Sequence, residues 1–158
     1  MVNKDLAKAE KYFFKGEYEI AQRICRRYDM SENPKDAAFA NYLLAQIAAR
    51  KDRRGNFQEA MSHYTRTIEL DPNFSDAYLG RGGLSHITAH ELGWKHKDDL
   101  SPEIDEMILE HLENAERDLI DSARFAPENK NRASIVTQRL TSVMASIRYR
   151  RARTSRVA

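Results

Sequence analysis

Apolar residues recur along this chain at the three- and four-residue spacing of an amphipathic helix. Residues 37–49 and 104–123 carry this pattern, and a further stripe lies close to the end of the sequence. The members of that stripe are Ala133, Val136, Leu140, Val143, Met144 and Ile147. No segment alternates between polar and apolar residues as a half-buried strand does. The spacing therefore predicts an all-α protein whose last helix buries one apolar stripe.

A short phrase is repeated between the predicted helices: a glycine, an aromatic residue two positions later, and an alanine three positions after that. A third, weaker copy keeps the alanine and a closing aromatic residue. The three copies comprise Gly16, Tyr18 and Ala21; Gly55, Phe57 and Ala60; and Ala115 with Phe125. Each copy is followed by a proline, at Pro34, Pro72 or Pro127. Repetition on this scale is typical of helical arrays, which usually bind other molecules rather than catalyse reactions.

These residues resemble the tetratricopeptide repeat (TPR) family, in which each repeat is a pair of helices, A and B. The second copy matches best, and Asp71-Pro72-Asn73 forms its closing turn. Further matching positions are Ala9, Tyr12, Tyr64, Leu70, Tyr78 and Gly82. The resemblance implies a TPR-type α-solenoid of about seven helices, with three repeats in residues 1–128. The repeats span about 2–35, 36–74 and 75–128, and a capping helix with an Arg-rich tail fills 129–158.

The repeat spacing departs from the family period of about 34 residues. Pro34 and Pro72 are 38 residues apart, which predicts an extra helical turn near residues 51–54. Pro72 and Pro127 are 55 residues apart, so the third repeat has an insert at about 89–112. Within the insert, Gly93 is expected to end one helix, and Ser101 with Pro102 to begin the next. We therefore expect both helices of the third repeat to be extended, with a connecting loop that carries the only tryptophan, Trp94.

Composition agrees with one helical domain, since 41% of the 158 residues are apolar and 32% are charged. The single cysteine, Cys25, excludes an internal disulfide and is expected in the core. No secretory signal and no apolar run long enough to cross a membrane are visible, so we expect a cytoplasmic protein.

Charge is divided unevenly near the end of the chain. Residues 101–129 hold nine acidic and two basic residues, whereas residues 130–158 hold eight basic and no acidic ones. In one interpretation the two segments pack together and their charges offset each other. In the other, a tail whose last eight or so residues fray binds nucleic acid, an acidic partner or a membrane surface. Secondary contacts with a partner are expected from Trp94, Arg148, Arg150, Arg151 and Arg153.

The sequence contains no phosphate-binding loop, nucleophile elbow or zinc-protease motif. His86 and His90 are one helical turn apart and could hold a metal, but no third ligand is fixed by the sequence. We therefore predict no catalytic, cofactor-binding or metal-binding residue, and no enzymatic activity.

The family resemblance implies a concave groove lined by the A helices. Carried over position by position, the predicted groove consists of Leu6, Glu10, Phe13, Phe14, Asn41, Tyr42, Ala45, Gln46, Ala49, Asp76, Leu79, Gly80, Gly83, His86, Ile87 and His90. This surface is mostly apolar and lacks the basic clamp with which some members hold a C-terminal carboxylate. Gly80 and Gly83 are each expected to admit either a partner's backbone or a neighbouring helix.

These features predict a non-catalytic protein-interaction module, an adaptor or assembly factor that binds an apolar or amphipathic peptide or helix of another protein. Two alternatives stay open: a secretion-type chaperone for a client segment, and a nucleic-acid-associated accessory protein acting through the Arg-rich tail. Self-association through the groove is a further alternative, whereas nucleic acid is not expected as the main partner.

Overall fold

The computed structural model describes residues 3–51, 56–96 and 101–154, and all regular structure in these ranges is helical. The elements are α1 (Lys4–Phe14), α2 (Tyr18–Cys25), α3 (Pro34–Lys51), α4 (Phe57–Leu70), α5 (Ser75–Lys95), α6 (Pro102–Phe125), a 3-10 helix (Pro127–Asn129) and α7 (Lys130–Thr154). The all-α class predicted from the apolar spacing is confirmed for this part of the chain. The extra turn predicted near 51–54 lies almost wholly outside it, since α3 is described only as far as Lys51.

The chain divides into two compact units, Met1–Arg81 and Gly82–Ala158, here called the first and second unit. The first unit contains α1 to α4 and the beginning of α5. The second contains the remainder of α5 together with α6 and α7. Each unit has its own buried residues, and each is described by itself below.

A glycine turn joins α1 to α2 in the first unit. Gly16 has a φ of +78°, a conformation that glycine adopts without steric cost. Its N–H donates to the carbonyl of Phe13 at 3.0 Å, and the N–H of Glu17 donates to the carbonyl of Tyr12 at 2.9 Å. This pair of bonds satisfies carbonyl groups at the end of α1. The turn predicted at Gly16 is confirmed, whereas Gly55, its counterpart in the second copy, lies outside the described residues.

Helix starts and stops follow the polar residues of the sequence. The side chain of Ser101 accepts a hydrogen bond from the N–H of Ile104 at 3.4 Å, and α6 begins at Pro102. This is the start that the sequence predicts. At the end of α4, the N–H of Asn73 donates to the carboxylate of Asp71 at 3.1 Å and closes the expected turn.

Small side chains let the helices of the first unit pack closely. Its apolar core contains Leu6, Ala9, Cys25, Ala40, Leu43 and Leu44 in one cluster and Phe13, Ala21 and Ile47 in another. Each fully buried leucine or isoleucine contributes about 1.5–3 kcal/mol through the surface it removes from water. Burial also raises the pKa of the Cys25 thiol to about 12, with a smaller effect from the carboxylate of Asp29. The prediction that Cys25 is a core residue is confirmed.

In the second unit, α5 and α6 meet at a glycine. A Cβ atom on Gly82 would lie 3.1 Å from the carbonyl oxygen of Ala115 and 3.1 Å from the Cβ of Asp118. Because these distances are shorter than ordinary van der Waals contacts, an alanine here would require the two helices to separate by a few tenths of an ångström, whereas glycine permits the observed approach. Ala115 itself is fully buried. Gly82, one of the positions that match the repeat pattern, is therefore explained by close packing inside the second unit.

The helix α7 packs along α6 and buries part of its predicted stripe. Leu140 and Ile147 are buried and Met144 is half-buried, whereas Val143 is 42% exposed. The side chains of the two remaining members, 133 and 136, lie outside the description. The helix continues to Thr154, so the expected fraying is wrong for residues 151–154. Arginine and alanine favour helix without any apolar stripe, which accounts for the extension. Residues 155–158 are not described.

The structure corrects the predicted end of α5. The helix does not end at Gly93 but continues to Lys95, so that Trp94 lies in its last turn rather than in a loop. Gly93 has no positive φ, and a Cβ on it would lie 3.8 Å from Ile108 of α6. Packing against α6 therefore keeps this part of the chain helical. Only residues 96–101 separate the two helices, and 97–100 are outside the described residues.

Candidate functional site

Several residues of the predicted groove are buried in the first unit. Leu6 and Phe13 belong to its apolar clusters, and Ala45 is fully buried beside them. Phe14 is exposed. Buried side chains of this kind stabilise the unit and present no surface to a partner.

Asn41 has a structural role within the same unit. Its Nδ2 donates to the carbonyls of Asp29 and Ala37, each at 2.9 Å. Its Oδ1 is then the acceptor for the Nδ1–H of His63 at 2.8 Å. Burial lowers the pKa of His63, which favours the neutral ring in this bond. All the polar atoms of the Asn41 side chain are thus used inside the unit.

Tyr42 interacts with three other residues of the predicted groove, through one hydrogen bond and two electrostatic effects. Gln46 donates to that hydroxyl at 3.1 Å. Burial raises the pKa of Tyr42, the negative charge of Asp76 raises it further, and Glu10 adds a smaller effect in the same direction. The positive charge of Arg50 acts in the opposite direction. This part of the predicted groove is therefore polar, whereas the sequence favoured an apolar surface.

Gly80 is explained by packing inside the first unit. A Cβ on Gly80 would lie 2.4 Å from Cζ of Tyr64, a buried residue of α4. The neighbouring helix thus occupies the space that the sequence left open for a partner. Ala49 and Leu79, the remaining groove residues of this unit, are half-buried.

The second unit contains a cleft between α5 and α7, with a residue of α6 as its floor. Its cavity has a volume of about 240 Å³. The lining residues are His86, His90, Gly93 and Trp94 of α5, Leu112 of α6 and Val143 of α7. We call this the α5–α7 cleft. Of the predicted groove residues, His86 and His90 lie in it directly.

Two further groove residues lie on the α5 face that borders the cleft. Positions 83, 87, 90 and 94 follow one another at intervals of four, three and four residues and so share one side of the helix. Ile87 is 53% exposed and Trp94 is 73% exposed. Trp94 therefore belongs to the same stripe, although the groove predicted from the sequence stopped at His90. The four-residue interval between His90 and Trp94 indicates that the two share a helix face, but the helix was expected to end at Gly93, before Trp94.

Gly83 differs from the other glycines in the middle of α5. Gly80 faces Tyr64 and Gly82 faces Ala115, whereas a Cβ built on Gly83 would have no described heavy atom within 4 Å other than those of its own helix backbone. A glycine inside a helix costs about 1 kcal/mol relative to alanine. Packing within the chain compensates for that cost at Gly80 and Gly82. At Gly83 no such packing contact compensates for the cost, and the glycine leaves an open space on the stripe that borders the cleft.

The other features of the described residues carry less chemistry. No three His, Cys, Asp or Glu side chains in the described part gather as a metal site would require. A depression of about 310 Å³ on α4 is bordered by Arg66 and Glu69, which pair with each other at 2.9 Å. No helix within residues 3–51, 56–96 and 101–154 combines the length and apolarity needed to cross a membrane.

Charged side chains are exposed on both α6 and α7 of the second unit. On α6, Glu103, Glu106, Glu110 and Glu113 are exposed. On α7, Arg148 and Tyr149 are exposed, whereas the side chains of Arg150, Arg151 and Arg153 lie outside the description.

No protein-family model and no curated protein matches this chain.

Proposed function

We propose that this protein is a non-catalytic interaction module, an adaptor or assembly factor built from TPR-type helical repeats. Its partner is an apolar or amphipathic peptide or helix of another protein, bound in the α5–α7 cleft. The buried alanines Ala21, Ala60 and Ala115 and the glycine turn at Gly16 support the repeat interpretation, because they stand at corresponding positions of the three copies.

The exposed apolar side chains around the cleft are the observation that carries the proposal. Trp94 and Val143, which are 73% and 42% exposed, line a cavity that ends on the buried Leu112. Ile87, which is 53% exposed, lies on the same side of α5 as Trp94, outside that lining. Covering the exposed surface of a tryptophan alone stabilises a complex by on the order of 3–4 kcal/mol before the costs of association. Aromatic side chains next to a pocket are typical anchors of protein interfaces.

The test compares two variants that carry the same substitution. Ile87→Glu places a charge on the α5 stripe that also carries Trp94, and Ile120→Glu places one on α6, outside both that stripe and the cavity lining, at a residue of similar exposure, 58% against 53%. Both proteins should fold, as checked by circular dichroism and thermal denaturation, since exposed positions tolerate charge. A partner captured from cell extract by the wild-type protein is then titrated against each variant.

We expect Ile87→Glu to weaken the complex more than about tenfold, because a carboxylate must lose water to enter an apolar contact. Ile120→Glu should bind as the wild type does. If the two variants bind the partner equally well, the cleft is not the binding site and the proposal is wrong.

A further inference from the structure

Among the residues that the structure describes, the lining of the α5–α7 cleft contains no carboxylate. Its only ionisable groups are the imidazoles of His86 and His90, which are either neutral or positively charged. The α7 wall adds no negative charge, because Lys130–Thr154 contains seven basic and no acidic residues. Whichever α7 residues stand beside Val143, none of them can repel an acidic ligand.

The carboxylates of the neighbouring helices do not reverse this balance. On α6 the exposed Glu103, Glu106 and Glu110 lie about 120–180° around the helix from Leu112, given about 100° of rotation per residue. Glu113 lies about 100° from Leu112 and does not line the cavity. Asp105 and Glu116 are closer in register to Leu112, but neither lines the cavity. On α5, Glu91 and Lys95 are both exposed and cancel in net charge.

The stripe on α5 has the length and shape for a helical ligand. Residues 83 to 94 span about 16 Å, which is three helical turns at 1.5 Å per residue. Packed helices approach to about 8–10 Å between their axes, and the space over Gly83 permits such an approach. The exposed Ile87 and Trp94 follow at one-turn and three-turn intervals from that glycine, where an apolar helix face can contact them.

On the basis of the function proposed above, we propose that the occupant of the cleft is an amphipathic α-helix of another protein with acidic flanks. Its apolar face packs on Trp94, Ile87 and Val143, and its closest point lies over Gly83. Aspartate or glutamate residues on both sides of that face lie beside the imidazoles of α5 and the basic helix α7. Charge complementarity of this kind sets the preference between ligands with the same apolar face.

The test uses synthetic helical peptides prepared in pairs. The members of a pair share one apolar face and lack tryptophan, and they differ only in carrying glutamate or lysine at every flanking position. Trp94 is the only tryptophan of the protein, so its emission reports occupation of the cleft directly. Titrations with full-length protein are made at low salt and at about 0.3 M salt, where charges further apart than a few ångströms are screened.

We expect the glutamate member of a binding pair to bind at least about tenfold more tightly at low salt, with an advantage that shrinks at high salt. Equal or tighter binding of the lysine member would overturn the acidic preference and leave the interaction function standing. If no pair changes the emission of Trp94, both the cleft as a binding site and the acidic preference are wrong.

A pair of variants checks where the preference originates. Val143→Glu places a carboxylate on the α7 wall at a residue that is 42% exposed, and Met107→Glu places one on α6, outside the lining, at a residue that is 46% exposed. Val143→Glu should reduce or reverse the preference for the glutamate peptide, and Met107→Glu should leave it unchanged. An unchanged preference in Val143→Glu would contradict the assigned location.

Discussion

Two alanine substitutions three residues apart in α5 should change stability in opposite directions. Gly83→Ala and Gly80→Ala each add one methyl group inside the helix and remove the extra backbone freedom of glycine in the unfolded chain. Each therefore gains about 1 kcal/mol from helix propensity. At Gly83 nothing lies within 4 Å of the new atom, so this gain is kept in full. For a chain of this size the melting temperature should rise by about 2–4 °C.

At Gly80 the gain is outweighed by a steric conflict. The added Cβ would lie 2.4 Å from Cζ and 2.6 Å from Cε1 of Tyr64, where carbon atoms normally stay about 3.5–4.0 Å apart. The Tyr64 ring must move by about 1 Å to restore that separation. It is buried, and its centroid is 6.3 Å from that of Tyr42, which in turn packs 4.9 Å from Phe74. Overpacking of this kind costs about 1–3 kcal/mol, so Gly80→Ala should be destabilised by up to about 2 kcal/mol.

The assay is urea and thermal denaturation of both variants beside the wild type, followed by far-ultraviolet circular dichroism. A double variant separates the conflict from any other effect of the substitution. In Tyr64→Leu the ring that faces residue 80 is absent, so Gly80→Ala should cost less in that background than in the wild type. If Gly80→Ala is as stable as Gly83→Ala in the wild-type background, the packing explanation of Gly80 is refuted.

Three further predictions concern single residues. Burial lowers the pKa of His63 below its usual 6.5, so the unfolded chain binds a proton at this residue before the folded chain does as the pH falls past about 6.5. In denaturation at a series of pH values, the wild type should therefore lose more stability below that pH than His63→Gln does, and should lose none from this residue above it. Because the thiol of Cys25 is buried and its pKa is raised to about 12, Cys25 should not react with a thiol reagent in the folded protein and should react fully in urea. Rapid labelling of the native protein would contradict this prediction. Ser101→Ala removes the side-chain cap of α6 and should lower the free energy of unfolding by about 1 kcal/mol in urea denaturation. Ser134→Ala, at an exposed position of α7, is the control and should lower it much less.

The sequence predicted those features that depend on neighbouring residues in the chain. Apolar spacing located α3 and α6, because a helix that packs on one side repeats its apolar residues every three or four positions. The start of α6 at Ser101 and Pro102, and the turn at Gly16, also follow from local chemistry. These preferences act over a few residues, so a single sequence reveals them.

Features that depend on residues far apart in the chain could not be predicted from the sequence. Gly93 has the local preference of a helix end, but its contact with Ile108 keeps α5 helical and brings Trp94 onto the cleft. Asn41 stands at a groove position of the repeat, but His63 from another helix holds it in the interior. Local sequence shows neither partner, which is why the predicted groove and the described surface differ at these points.

The close contact at Gly82 also restricts how this sequence can evolve. One of the two atoms that would lie 3.1 Å from a Cβ on Gly82 is the main-chain oxygen of Ala115, which is present whatever side chain α6 carries. No compensating substitution on α6 can remove that oxygen, so homologous chains should keep a glycine at position 82. Position 80 faces a side chain and is free to covary with Tyr64. A Cβ at position 83 would meet no described atom beyond its own helix, so packing within the described part of the chain does not require a glycine there.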